Sequence, residues 1–224
     1  MRTLELPAHT WRIATVGAGV RASRIRVEDA SLADAGNRFD VVGGGVLYVA
    51  TNSRATFLET LAPLRPSPAM VSIAHQDEKA GFMGPGQIPR EWRESRRMFK
   101  LGHVDAAQTL PFVDLEDLET RSELLRHLGE KIVEFGVETM DIPDVTGTNR
   151  LLTREISQWC YAQTDESGHP IYGGVRYTSR LDANEECWAV FWRNEVLFVD
   201  EQRAISVDDS NLIEVCDAWQ MRVH

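Results

Sequence analysis

Short β-prone runs lie at both ends of the chain, and the clearest helical periodicity lies between them. That order argues for an α+β fold and against a doubly wound parallel sheet, in which strands and helices alternate along the whole chain. The N-terminal run is Val46 to Ala50, apolar and β-prone, entered through Gly43, Gly44 and Gly45, which supply a turn. Ser53 then offers an N-cap to a helix whose Ala55, Leu58 and Leu61 recur at helical spacing until Pro63 stops it. Near the C-terminus the β-prone stretches are Tyr172 to Tyr177, Cys187 to Trp192, Val196 to Val199 and Ala204 to Val207. Turn residues separate them, which predicts an antiparallel sheet region.

In the middle, Leu118, Leu125, Leu128, Ile132 and Phe135 share one face of a helix that Asp117 or Glu116 begins and Gly136 ends. A second helix runs from about Asn149 to Ala162, with Leu152, Ile156, Trp159 and Cys160 inward. From Pro63 to Pro89 the chain is rich in Pro, Gly and Ser and reads as irregular. With 224 residues, 43% of them hydrophobic, the chain can bury a sizeable core. There is no linker and no internal repeat, so residues 1–224 read as one domain.

Charge and composition exclude several classes. A formal net charge of −10 argues against a general nucleic-acid coat, which needs surplus Lys and Arg, but leaves room for an anionic small molecule at a local Arg cluster. No stretch reaches the length of a membrane span and the N-terminus lacks the pattern of a secretory signal, so a cytoplasmic protein is expected. Cys160, Cys187 and Cys216 are odd in number and widely spaced, and suggest buried thiols rather than disulfides or a zinc site. Gly43 to Gly45 lack the Lys-Ser/Thr of a P-loop and the GxGxxG of a dinucleotide fold. Asp114, Glu116, Asp117 and Glu119 lack the spacing of an EF-hand and suit a helix N-terminus, so no metal is expected. Arg90, Arg93, Arg96, Arg97 and Lys100 read as a solvated helix face.

Taken singly, Arg38, Tyr48, Glu59 and Ser179 are ordinary residues; their order and flanking sequence set them apart. Asn37-Arg38-Phe39-Asp40 precedes the strand Leu47-Tyr48-Val49-Ala50, and Leu58-Glu59-Thr60-Leu61 lies on the helix that follows. Much later come Gly173-Gly174-Val175-Arg176-Tyr177-Thr178-Ser179 and Cys187-Trp188-Ala189-Val190-Phe191-Trp192. The combination resembles the RES-domain family, named for its Arg, Glu and Ser. Trp11-Arg12-Ile13 is similar to the aromatic-Arg-apolar opening of that family and adds Arg12. Between Glu59 and Ser179 the chain is longer than in compact members, so 63–150 is read as an extended loop and helical insertion.

The resemblance implies an ADP-ribosyltransferase-like fold, with short strands forming a split antiparallel sheet around a helical middle, and a cleft that takes NAD as substrate. It implies cleavage of the nicotinamide-ribose bond, with ADP-ribose passed to water or inorganic phosphate. Nicotinamide leaves from a cationic pyridinium and needs little acid help, while the ribose gains oxocarbenium character that a carboxylate stabilises; Glu59 is that carboxylate. Arg38 and Arg12 suit the pyrophosphate through planar, bidentate, charge-assisted bonds. Tyr48 suits a ring of NAD or the face of the nicotinamide ribose. Ser179 has two open roles, hydrogen-bonding the ribose or orienting Glu59.

Two alternatives stand beside this reading. One is ADP-ribosylation of a protein acceptor; the other is a non-catalytic NAD-binding or interaction module on the same fold. Family members commonly act as toxins held by a helix-turn-helix antitoxin, and such a partner is an expectation here.

Overall fold

The computed structural model describes residues 1–67, 69, 86–103, 109–193 and 197–224. Its strands, in chain order, are β1 (Thr3–Leu4), β2 (His9–Thr15), β3 (Val46–Ala50), β4 (Gln87–Ile88) and β5 (Arg96–His103). They continue with β6 (Phe112–Asp114), β7 (Gly174–Ser179), β8 (Asp182–Phe191), β9 (Leu197–Ala204) and β10 (Arg222–Val223). The helices are α1 (Ser53–Leu61), α2 (Arg90–Glu94), α3 (Leu118–Glu134), α4 (Ile142–Thr146), α5 (Arg150–Ala162) and α6 (Ser210–Ala218).

Eight strands form one sheet in the order β1-β6-β7-β8-β3-β2-β5-β9, and β4 pairs β10 apart from it. Within the sheet, β3 runs antiparallel to β8 from Val46↔Phe191 to Ala50↔Cys187, and β2 runs antiparallel to β5 from His9↔Gly102 to Thr15↔Arg96. Between β2 and β3 the register narrows to the single pair Trp11↔Ala50. The sheet is thus nearly divided at that seam. On the β3 side, Val46, Val113, Val175 and Ala189 pack against Leu124, Leu128 and Ile132 of α3 and Leu152, Ile156 and Cys160 of α5. On the β2 side, Ile13 and Met98 pack against Phe57, Leu58 and Leu61 of α1 and Leu212 and Val215 of α6. Among the described residues no helix is long and apolar enough to cross a membrane.

Several sequence expectations are corrected. Asn52, not Ser53, caps α1, its side chain accepting from the Ala55 amide at 2.9 Å; Ser53 is already helical. The basic run at 90–100 is not one solvated helix face: α2 stops at Glu94 and β5 begins at Arg96, with Met98 and Phe99 buried. The segment 63–150 holds loop and helix, but it also supplies β5, which pairs along the full length of β2. Residues 68 and 70–85, most of the Pro/Gly-rich stretch, lie outside the described residues. Leu118 does not face inward with Leu128 and Ile132 but is 69% exposed at the first turn of α3.

The C-terminal sheet region is not wholly antiparallel, since β6 and β7 run parallel from Phe112↔Gly174 to Asp114↔Arg176, joined by the long helical crossover that such pairing needs. Of the runs expected at Val196 to Val199 and Ala204 to Val207, residues 197–199 and Ala204 fall in one strand, because Glu201, Gln202 and Arg203 between them also pair with β5; residues 205–207 lie beyond its end, and Val196 lies outside the described residues. Asp114 and Glu116 do more than favour a helix terminus: they flank Arg176 at 3.3 and 3.1 Å, and Asp117 alone caps α3.

Candidate active site

Arg38 rides on the loop before β3, and that loop is fixed by a buried carboxylate. Asp40, 1% exposed, accepts from Ser23 Oγ at 2.9 Å, the Asn37 amide at 2.8 Å and the Tyr48 hydroxyl at 3.0 Å. The same hydroxyl accepts from the Phe39 amide at 2.9 Å. Burial, and then the Asp40 charge, push the Tyr48 phenol well above its ordinary range, so it stays a donor. Arg154 on α5 clamps the far side of the loop through the Ala35 and Leu32 carbonyls, at 3.1 and 2.7 Å. Held in this way, the Arg38 guanidinium lies 4.9 Å over the Tyr177 ring and donates Nη2 to the Val145 carbonyl at 3.0 Å. Its Nε is buried and has no hydrogen-bond partner among the described residues.

Glu59 sits on α1, whose N-terminus is tied to the β7–β8 hairpin. Arg54 reaches Asp182 at 2.8 Å, Glu185 at 2.5 Å and Glu214 of α6 at 2.7 Å, and Asn52 donates to Glu185 at 2.6 Å. These bonds set the distance between α1 and the end of β7. Ser179 ends β7, is 3% exposed, and donates to Glu59 Oε1 at 2.6 Å while accepting from the Leu181 amide at 3.1 Å. Cys187 Sγ is 4.0 Å from the same carboxylate oxygen. Burial and the Glu59 charge push that thiol well up, which leaves it protonated and a poor nucleophile.

These residues converge on a cleft of about 590 Å³ at the β2–β3 seam. Trp11, Arg12 and Ile13 of β2 form one wall; Tyr48, Val49 and Ala50 of β3 form the other. Arg12, Arg38, Arg150 and Arg180 all line it, and Glu59 is the sole carboxylate among the described residues that do. The chain carries 34 Asp and Glu against 24 Lys and Arg, yet none of these four arginines forms an ion pair among the described residues. Elsewhere Arg54 and Arg176 each take three carboxylates. Arg12 Nη1 is buried without a partner among the described residues, and burial lowers its guanidinium to about 10, so it remains a cation at neutral pH. A cleft with unpaired cations and buried unused donors is built for an anion.

A family model described as RES domain matches residues 9–210. The chain belongs to the RES-domain family. No curated protein matches it.

In this RES domain Arg12, Arg38, Tyr48 and Glu59, the residues singled out in the sequence, all lie on the cleft wall. Ser179 is not on the wall; it stands behind Glu59 and holds its carboxylate. Sequence reasoning passed over Asp40, Tyr177, Arg150 and Arg180. Asp40 and Tyr177 stand within the segments that carry the family resemblance, but no role is read for them there. Nothing in the local sequence marks Arg150 or Arg180, which reach the cleft from the start of α5 and from the β7–β8 turn.

Proposed function

We propose that this RES-domain protein consumes NAD, breaking the bond between nicotinamide and ribose and passing ADP-ribose to water or inorganic phosphate. The observation that carries the reading is the pairing of unpartnered Arg12 and Arg38 donors with a single held carboxylate, Glu59, in one cleft. The cleft volume falls within the roughly 300–1,000 Å³ range of small-ligand sites. The near-division of the sheet at the β2–β3 seam is in keeping with an ADP-ribosyltransferase-like fold that binds NAD between two half-sheets.

In this mechanism the two arginines hold the pyrophosphate by charge-assisted hydrogen bonds. The ribose C1′–N bond breaks, its electron pair stays on the pyridine nitrogen, and neutral nicotinamide departs. Positive charge then spreads over C1′ and the ring oxygen, where the Glu59 carboxylate stabilises it. Ser179 keeps that carboxylate from rotating away. An oxygen of water or phosphate bonds to C1′ from the vacated side, and the proton that water releases passes to Glu59 or solvent. A protein that drains NAD in this way is a toxin in its own cell, and a helix-turn-helix antitoxin covering the cleft is the matching partner.

The test is product analysis with NAD, with and without phosphate, on the native chain and on Glu59→Gln. Nicotinamide should appear with ADP-ribose or its 1-phosphate, and Glu59→Gln should lower the rate about 100-fold, as expected for losing roughly 3 kcal/mol of transition-state stabilisation. No nicotinamide from the folded native chain would refute the reading. Label passing from NAD to a macromolecule would instead favour a protein acceptor.

A further inference from the structure

Among the described residues three aromatic rings line the cleft, Trp11, Tyr48 and Tyr177, and two of them are already engaged. Tyr177 packs on Phe39 with ring centroids 4.5 Å apart and carries the Arg38 guanidinium over its ring. Tyr48 has its hydroxyl tied to Asp40 and the Phe39 amide. Trp11 is partly exposed and, among the described residues, has no ring partner, no cation over its face and no hydrogen bond to its indole nitrogen. It packs in part against the cluster that holds Ile13 and Phe57, and its exposed part is aromatic surface that lines the site.

Its place in the sheet ties it to the reacting end of the cleft. Trp11 lies opposite Ala50, Ala50 lies opposite Cys187, and Cys187 Sγ is 4.0 Å from Glu59 Oε1. Two inter-strand steps of about 5 Å each separate the Trp11 backbone from that of Cys187. A ribose whose C1′ stands at Glu59 therefore has its base within reach of the indole.

Charge decides which base. The oxidised nicotinamide ring is a cation, and the cleft that must admit it carries four arginines against one glutamate. Only Glu59 and an electron-rich ring face attract it, and the Tyr177 face is taken by Arg38. We infer that Trp11 is the platform on which the cationic nicotinamide ring of the dinucleotide lies, held by a cation–π contact. The inference rests on the reading of the cleft as an NAD site. Bond cleavage removes the charge from the ring, so the platform grips substrate more strongly than released nicotinamide. Trp11 accordingly acts on substrate binding rather than on the chemical step.

The experiment is calorimetric titration of native protein, Trp11→Leu and Trp11→Phe with two probes. One is carba-NAD, in which carbon replaces the oxygen of the nicotinamide ribose, so that the cationic ring is retained and cannot be cleaved. The other is ADP-ribose, which lacks nicotinamide and keeps everything else. Trp11→Leu should weaken carba-NAD roughly tenfold and leave ADP-ribose unchanged, and Trp11→Phe, which keeps a π face, should lose less. Equal losses for both probes, or no loss for carba-NAD, would overturn the role of Trp11 while leaving the NAD site standing. Should Trp11→Leu fail to fold, equal losses in Trp11→Phe decide the matter in the same way. If the native protein binds neither probe, the NAD reading falls and the platform with it.

Discussion

Ser179→Ala removes one oxygen atom from the interior and separates a structural from a chemical role. That oxygen donates to Glu59 Oε1 at 2.6 Å and accepts from the Leu181 amide at 3.1 Å. Losing an acceptor for a peptide N–H costs about 1 kcal/mol of stability. A hydrogen bond to a charged group contributes about 1.5–3 kcal/mol, and this one restrains the carboxylate that faces the developing cation. If that energy is expressed in the transition state, turnover drops by about 10- to 100-fold, whereas KM moves by less than about threefold because the hydroxyl does not line the cleft. The assay is steady-state nicotinamide release beside a denaturant midpoint for native protein, Ser179→Ala and Ser179→Thr, the last keeping a hydroxyl that should restore part of the rate. Two results would refute the reasoning. Normal turnover with only a lower midpoint makes Ser179 a turn support, and a rise in KM matching the whole loss makes it a ribose contact.

Arg38→Lys keeps the charge but loses the planar fork and the stacking on Tyr177, so NAD should bind about tenfold more weakly in a protein of unchanged melting temperature; unchanged affinity removes Arg38 from the site. Arg54→Ala leaves the Glu185 carboxylate, 5% exposed, without its guanidinium and α1 tied to the hairpin through Asn52 without the ion pairs, and should cost about 2 kcal/mol in a denaturant melt together with turnover. A stability loss without any change in rate would show that α1 is positioned without Arg54. Burial pushes the Cys187 thiol and the Tyr48 and Tyr177 phenols up from ordinary values of 9.0 and 10.0. The unfolded chain therefore releases these protons before the folded one does. Stability should hold up to about pH 9 and fall as the pH rises further, and a midpoint still constant at about pH 11 contradicts this.

Arg38, Tyr48 and Glu59 stand out in the sequence because each lies on or beside an element with a strong local signature, whereas Arg12 stands out only through the Trp11-Arg12-Ile13 opening. Val46–Ala50 is continuously apolar, α1 shows helical spacing with a polar residue to cap it, and the flanking words repeat a family pattern. Local signals also misled. Five of the eight residues of β5 are polar or Gly, so its strand character comes from pairing with β2 and β9 rather than from its own composition. The polar middle of β9 hides for the same reason: from Phe198 to Ala204 every residue is exposed, and no apolar alternation joins the two β-prone runs at its ends.

What the chain determines by itself is short-range: which segments can be strands or helices, where they are capped, and which residue types stand next to them. Those depend on neighbours within a few positions, and one sequence contains them. The role of Ser179 does not, because it depends on a 2.6 Å bond to a residue 120 positions away, set by the Arg54 and Asn52 ties between α1 and a hairpin at the other end of the chain. The same holds for the cleft charge. Twenty-four basic residues are scattered through an acidic chain, and only the tertiary fold decides that Arg54 and Arg176 are neutralised while Arg12, Arg38, Arg150 and Arg180 face one cavity unpaired. Electrostatic function belongs to positions in space, and sequence order alone carries no distances between residues so far apart.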